Sequence, residues 1–195
     1  LAVVLTLSAS FLVVISTPAI HRAIFAVVPA GGPISPEERV AIDQAVTEGI
    51  RYWSASAAES DGLVALTSAE WRHLEDVLTL VGIVWLYILP GALIGLLLIR
   101  FRLTEPWAVT WILGLIGVVG LTSAIFFEPL FLQLHHLLFP AGNWIFPPRD
   151  YLLTQVYPAS FFLAAWIIVL AFSGSLILGL RYVIGRTEQA AEESL

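Results

Sequence analysis

The run VLTLVGIVWLYILPGALIGLLLI, residues 77–99, carries no charged side chain. As a helix these roughly 23 residues span about 34 Å, enough to cross a hydrocarbon core of about 30 Å. No water reaches the backbone there, so its N–H and C=O groups must bond within the segment, and a helix is the only open-ended solution. Pro90-Gly91 predicts a kink in it. Arg100 and Arg102 stop it, and the link to Trp107 is too short to hold a domain.

Three more apolar blocks flank this one. Residues 1–28 read as a first membrane anchor interrupted by Ser16, Thr17, Pro18 and the His21-Arg22 pair. Small residues at Ser16-Thr17-Pro18-Ala19 resemble a signal-peptide cut, but the expected reading is an uncleaved anchor. Residues 107–127 form a third span, with Gly114, Gly117 and Gly120 predicting one close-packed face. Residues 159–180 form a fourth, followed by Arg181, Arg186 and an acidic tail over 181–195. Composition agrees: 12% of residues are charged and 58% hydrophobic, where soluble domains keep roughly a quarter charged, and the mean hydropathy is +0.89.

The long polar stretch, 29–76, reads as a small extracytoplasmic helical segment. Ser35-Pro36-Glu37-Glu38 sets a capping serine before a proline at the first helical position. Ile42, Val46, Ile50 and Trp53 then recur near the helical period, predicting an amphipathic helix against the bundle or the membrane surface. Ser54 to Gly62 reads as a loop. Thr67-Ser68-Ala69-Glu70 is a second capping box whose helix runs directly into the second apolar block. Residues 128–158, rich in aromatics and prolines, read as an outer interfacial or re-entrant segment.

Charge sets the orientation. Arg100, Arg102, Arg181 and Arg186 share one side, whereas 29–76 holds nine acids against three arginines. The excess of arginine marks the cytoplasmic side, so both termini are expected there and both long loops outside. The predicted fold class is an all-α membrane protein of four transmembrane helices, with a small extracytoplasmic helical domain and an interfacial aromatic segment.

Several chemistries are excluded. With no cysteine, there is no disulfide, thiolate metal site or cysteine nucleophile. A formal charge of −6 leaves no basic patch for a nucleic-acid partner. GxGxxG, GxxxxGK[ST] and GxSxG motifs are all absent. No histidine lies mid-block where a haem or quinone would want an axial ligand.

What remains is histidine. His73, His135 and His136 all fall at the outward boundary, while His21 reads as merely interfacial. Glu70, His73 and Asp76 share one helical face, and an aspartate one turn from a histidine can fix its tautomer. A solvated polar collar at a helix end is the plainer meaning of that stripe. Trp144 and Tyr157 fit an interfacial aromatic belt as readily as a substrate wall. Arg149 can pair with Asp150, hold a lipid phosphate or polarise a carbonyl. His73, Asp76, His135 and His136 offer nitrogen and oxygen metal ligands, but without HExxH or another tight spacing no metal is expected.

HLEDV at 73–77, HHLLFPAGNW at 135–144 and the following FPPRDYLLTQVYP together resemble the lipoprotein intramolecular transacylases, small four-helix bacterial membrane proteins. The resemblance covers nearly the whole chain in order. It departs from the family pattern at Leu78, where a basic residue is expected, and at Pro140. It implies acyl transfer within a diacylated lipoprotein, from the diacylglyceryl group to the α-amino group of the same cysteine. It also implies catalysis by His73 and His135, with Asp76 in the HLxDV position and Trp144 in the downstream aromatic position. His136, Arg149 and Tyr157 are expected beside them around the substrate from their residue types and place in the segment. The partners implied are that lipoprotein and membrane lipid, with no cofactor, at the outer face of the bacterial cytoplasmic membrane. A non-catalytic membrane scaffold and a lipid-ester hydrolase are the competing readings.

Overall fold

A computed structural model describes residues 2–52, 66–100, 106–147 and 150–192. The described residues are helical, with no strand: α1 (Ala2–Ile15), α2 (Pro18–Phe25), α3 (Pro36–Tyr52), α4 (Ser68–Arg100), α5 (Pro106–Ile125), α6 (Phe127–Leu138), α7 (Leu152–Val156) and α8 (Ala159–Glu192). Trp53 and the expected loop at 54–62 lie outside the described residues. So do Arg102 and Arg149.

Among the described residues, two helices are long and apolar enough to cross a membrane, within α4 and α8. The number rises to four if each of two bent pairs counts as one span. The first pair is α1 with α2, bent by 75°; the second is α5 with α6, bent by 97°. The single anchor expected over 1–28 is thus two helices at an angle. Proline explains both breaks, because it lacks an N–H and its ring excludes the carbonyl four residues earlier. Pro18 opens α2, and the hydroxyls of Ser16 and Thr17 donate to the carbonyls of Leu12 and Val13 at 2.6 and 2.5 Å. Pro129 stands four residues after Ile125, where α5 ends.

The helix expected to start at the Thr67–Glu70 box does run directly into the apolar block, as one 33-residue element from Ser68 through Pro90. Other elements differ from the sequence reading. Gly91 is where α1 crosses it, since a Cβ there would collide with Leu5. The last helix continues past Leu180 through Arg181 and Arg186 to Glu192, so much of the expected tail is helical. On α5 only Gly120 packs closely, with Leu170 at 3.0 Å from an added Cβ, while Gly114 and Gly117 face open space.

α8 lies between α1 and α5, and α1 also touches α4. Val14, Val81, Val169 and Ile177 are buried in this bundle, and Ser173 donates to Ser10 at 3.0 Å. Trp111, Leu121 and Ile125 of α5 stay exposed, as side chains facing lipid would. A second core sits at one end of the bundle: Ile42 and Val46 of α3 pack with Leu66, Leu153 and Val156, and with Trp71 and Phe146 at its edge.

Candidate active site

The amino end of α4 is fixed from both sides. Thr67 Oγ1 accepts the Glu70 N–H at 3.3 Å while Glu70 Oε2 accepts the Thr67 N–H at 2.7 Å, a reciprocal capping box. Glu70 is fully buried, and its other oxygen accepts the Leu153 N–H at 2.8 Å. Glu70 is therefore a clamp between α4 and α7, not part of an exposed polar stripe. One turn further along, His73 is held at a fixed height against α6 and the loop that follows it.

The 97° turn from α5 into α6 brings His135 over that point. The rings of His73 and His135 stand 6.2 Å apart, centroid to centroid. At that separation the two rings are neighbours without stacking, and Phe139 touches both. His73 is walled by Phe139 at 4.9 Å and Phe146 at 5.7 Å. His135 lies against Phe131 at 4.0 Å and Trp144 at 5.0 Å. Its Nδ1 sits 2.8 Å from the Phe131 carbonyl oxygen, an acceptor only, so Nδ1 carries the proton and a neutral ring presents its Nε2 lone pair. His73 Nδ1 is buried with no hydrogen-bond partner.

The loop after α6 completes the enclosure. Gly142 has φ of 73°, a left-handed conformation that costs a side-chain-bearing residue about 1 kcal/mol. This turn sets Asn143 on α4, where its Nδ2 donates to Asp76 Oδ2 at 2.5 Å. It also sets Trp144 between the two adjacent histidines, with His136 edge-on at 4.9 Å. The Trp144 indole N–H donates to the Phe139 carbonyl at 3.0 Å. Asp76 thus bonds Asn143 and leaves His73 Nδ1 unbonded.

Of the residues singled out from sequence, His73, Asp76, His135, His136 and Trp144 come together. Tyr157 does not join them, because its hydroxyl donates to Asp43 Oδ1 at 2.8 Å. His21 is buried and bonds the same oxygen through Nδ1 at 2.6 Å, so it is a core residue and not an interfacial one. Arg39 closes this second cluster, donating to the carbonyls of Val156 at 3.0 Å and Val28 at 2.7 Å, with its guanidinium 3.9 Å from the centre of the Phe25 ring. Burial, then the charge of Asp43 and the bond to it, push the Tyr157 phenol well above its ordinary pKa. Burial also lowers that of Arg39, against the opposing pull of Asp43. Among the described residues no three His, Asp or Glu side chains are grouped to hold a metal ion.

Sequence reasoning missed Asn143, Phe139, Phe146 and the Asp43 cluster. For Asn143 a signal existed, since Gly-Asn is a turn pair inside an otherwise apolar stretch. Arg39, Asp43 and Thr47 recur every four residues beside the buried Ile42 and Val46, which marks a polar strip on a core-facing side.

The family model for the lipoprotein intramolecular transacylase Lit matches residues 39–162, well over half of the chain. The matched stretch holds both histidines of the facing pair together with Asp76, Asn143 and Trp144. No curated protein and no solved structure matches the chain.

Proposed function

This chain belongs to the lipoprotein intramolecular transacylase family, and on that premise we propose that it moves one acyl chain from the diacylglyceryl group of a bacterial lipoprotein cysteine to that cysteine's own α-amino group. The product is an N-acylated, lyso-glyceryl lipoprotein. The observation that carries the reading is the approach of His73 to His135 within an aromatic enclosure.

The chemistry needs an amine relieved of a proton, a polarised ester carbonyl and a protonated leaving oxygen. His135 is the base in this proposal, because its Nδ1–H is committed to Phe131 and its Nε2 lone pair is free. The amine nitrogen attacks the ester carbon while His135 takes its proton. An N–H of His73 stabilises the oxyanion that forms. As the carbon–oxygen bond to glycerol breaks, His135 returns the proton to the departing oxygen, so amide and free hydroxyl form with no net change in the enzyme. Amine and ester belong to one molecule, so proximity supplies much of the rate and no cofactor is needed. Phe131, Phe139, Phe146 and Trp144 exclude water, which favours transfer over hydrolysis.

In this proposal the site lies at the outer face of the cytoplasmic membrane, where the acyl chains of a lipoprotein lie in lipid. In a bacterium lacking other N-acylation, the wild-type chain is expected to yield N-acyl lipopeptides by mass spectrometry. His73→Ala and His135→Ala are each expected to lower that yield at least 100-fold while still inserting. Full N-acylation in both variants would reject the assignment, and free fatty acid in place of amide would mark a hydrolase.

A further inference from the structure

Asn143 was chosen by no motif, yet its geometry is specific. A carboxylate only accepts, so the amide must turn its NH2 toward Asp76, which sends Oδ1 the other way. That oxygen is buried and bonds nothing. Buried polar atoms are almost always paired, so an acceptor left open beside a reactive pair marks a place that a donor enters. Its surroundings fix where. Asn143 precedes Trp144, which touches His135 and His136, and its amide is held by Asp76, one turn along α4 from His73. A carbonyl oxygen held open in this way suits a primary amine, which brings more than one N–H donor.

The geometry points to Asn143, its amide oriented by Asp76, as the receptor for a primary amino group, the α-amine of the substrate. Asn143 Oδ1 accepts one N–H while a second N–H faces His135, and the lone pair is thereby turned toward the ester carbon. This inference rests on the transacylase reading and names the residue that orients its nucleophile. The same chemistry occurs on an ethanolamine lipid headgroup, which is the alternative source.

The test uses the full chain in nanodiscs of phosphatidylcholine and two unreactive probes. Both are ether-linked diacylglyceryl-cysteine peptides, one with the α-amine and one with hydrogen in its place. Wild type is expected to bind the amine probe at least tenfold more tightly. In Asn143→Ala and in Asn143→Ser, which keeps a donor for Asp76, the preference should fall below threefold. A preference unchanged in both variants, or absent from wild type, overturns the inference. Displacement of the amine probe by phosphatidylethanolamine but not by further phosphatidylcholine would assign the receptor to lipid headgroups and overturn the lipoprotein assignment. An amine preference that holds while ester-linked peptide is never N-acylated would instead defeat the transacylase reading alone.

Discussion

At Tyr157 the hydroxyl end of a partly exposed ring is enclosed and donates to the buried carboxylate of Asp43. Its folded pKa is raised above the unfolded value of about 10. A raised pKa contributes stability that is fully present below the unfolded value and is lost as pH climbs from there through the folded one. On the alkaline side, thermal midpoints in detergent should therefore hold from pH 8 to about pH 10 and fall above it. Tyr157→Phe should lose about 2 kcal/mol at pH 8, the scale of a hydrogen bond to a carboxylate, yet decline less between pH 8 and 11. Equal alkaline losses in both proteins would show that another group governs that limb. Sequence alone could not place this phenol, because its partner lies 114 residues away along the chain.

Elements here are set by their ends. Ser35 caps α3 through the Glu38 N–H at 3.1 Å, and the Thr67–Glu70 box caps α4; both are short-range patterns and were legible from spelling alone. What Glu70 does with its remaining oxygen was not legible, since Leu153 belongs to a distant helix. Gly142 shows the same division. Gly-Asn marked a turn, but only the left-handed φ shows why glycine stands there and what the turn carries. Gly142→Ala should destabilise the protein by about 1 kcal/mol. Because the strained turn positions both Asn143 and Trp144, N-acylation should drop about tenfold or more at a temperature where the fold is intact. Wild-type acyl transfer in this variant would mean that the turn does not hold the site.

Over the whole molecule, the bundle of α1, α4, α5 and α8 carries at one end the core built by α3 and α7, and the facing histidines lie beside that core. Arginine distribution predicts that this end is outside the cell. The chain has no cysteine, so a single one introduced at Gln44 or at Arg186 can be labelled without background. An impermeant maleimide on intact cells should modify Gln44→Cys, and should reach Arg186→Cys only after lysis. The reverse pattern would put the proposed acyl-transfer site on the wrong side of the membrane for a mature lipoprotein.

Apolar runs and caps are local, so the chain by itself determined a helical molecule with segments long and apolar enough to cross a membrane. Lipid forces that outcome, since an uninterrupted apolar segment can pair its backbone only as a helix. Two proline breaks of 75° and 97°, and the contacts they permit, were decided only in three dimensions. The direction of a bend depends on what the next helix packs against, and no residue near Pro129 records that His73 waits there. The same holds for His21, which joins Asp43 in the core because α2 folds back onto α3.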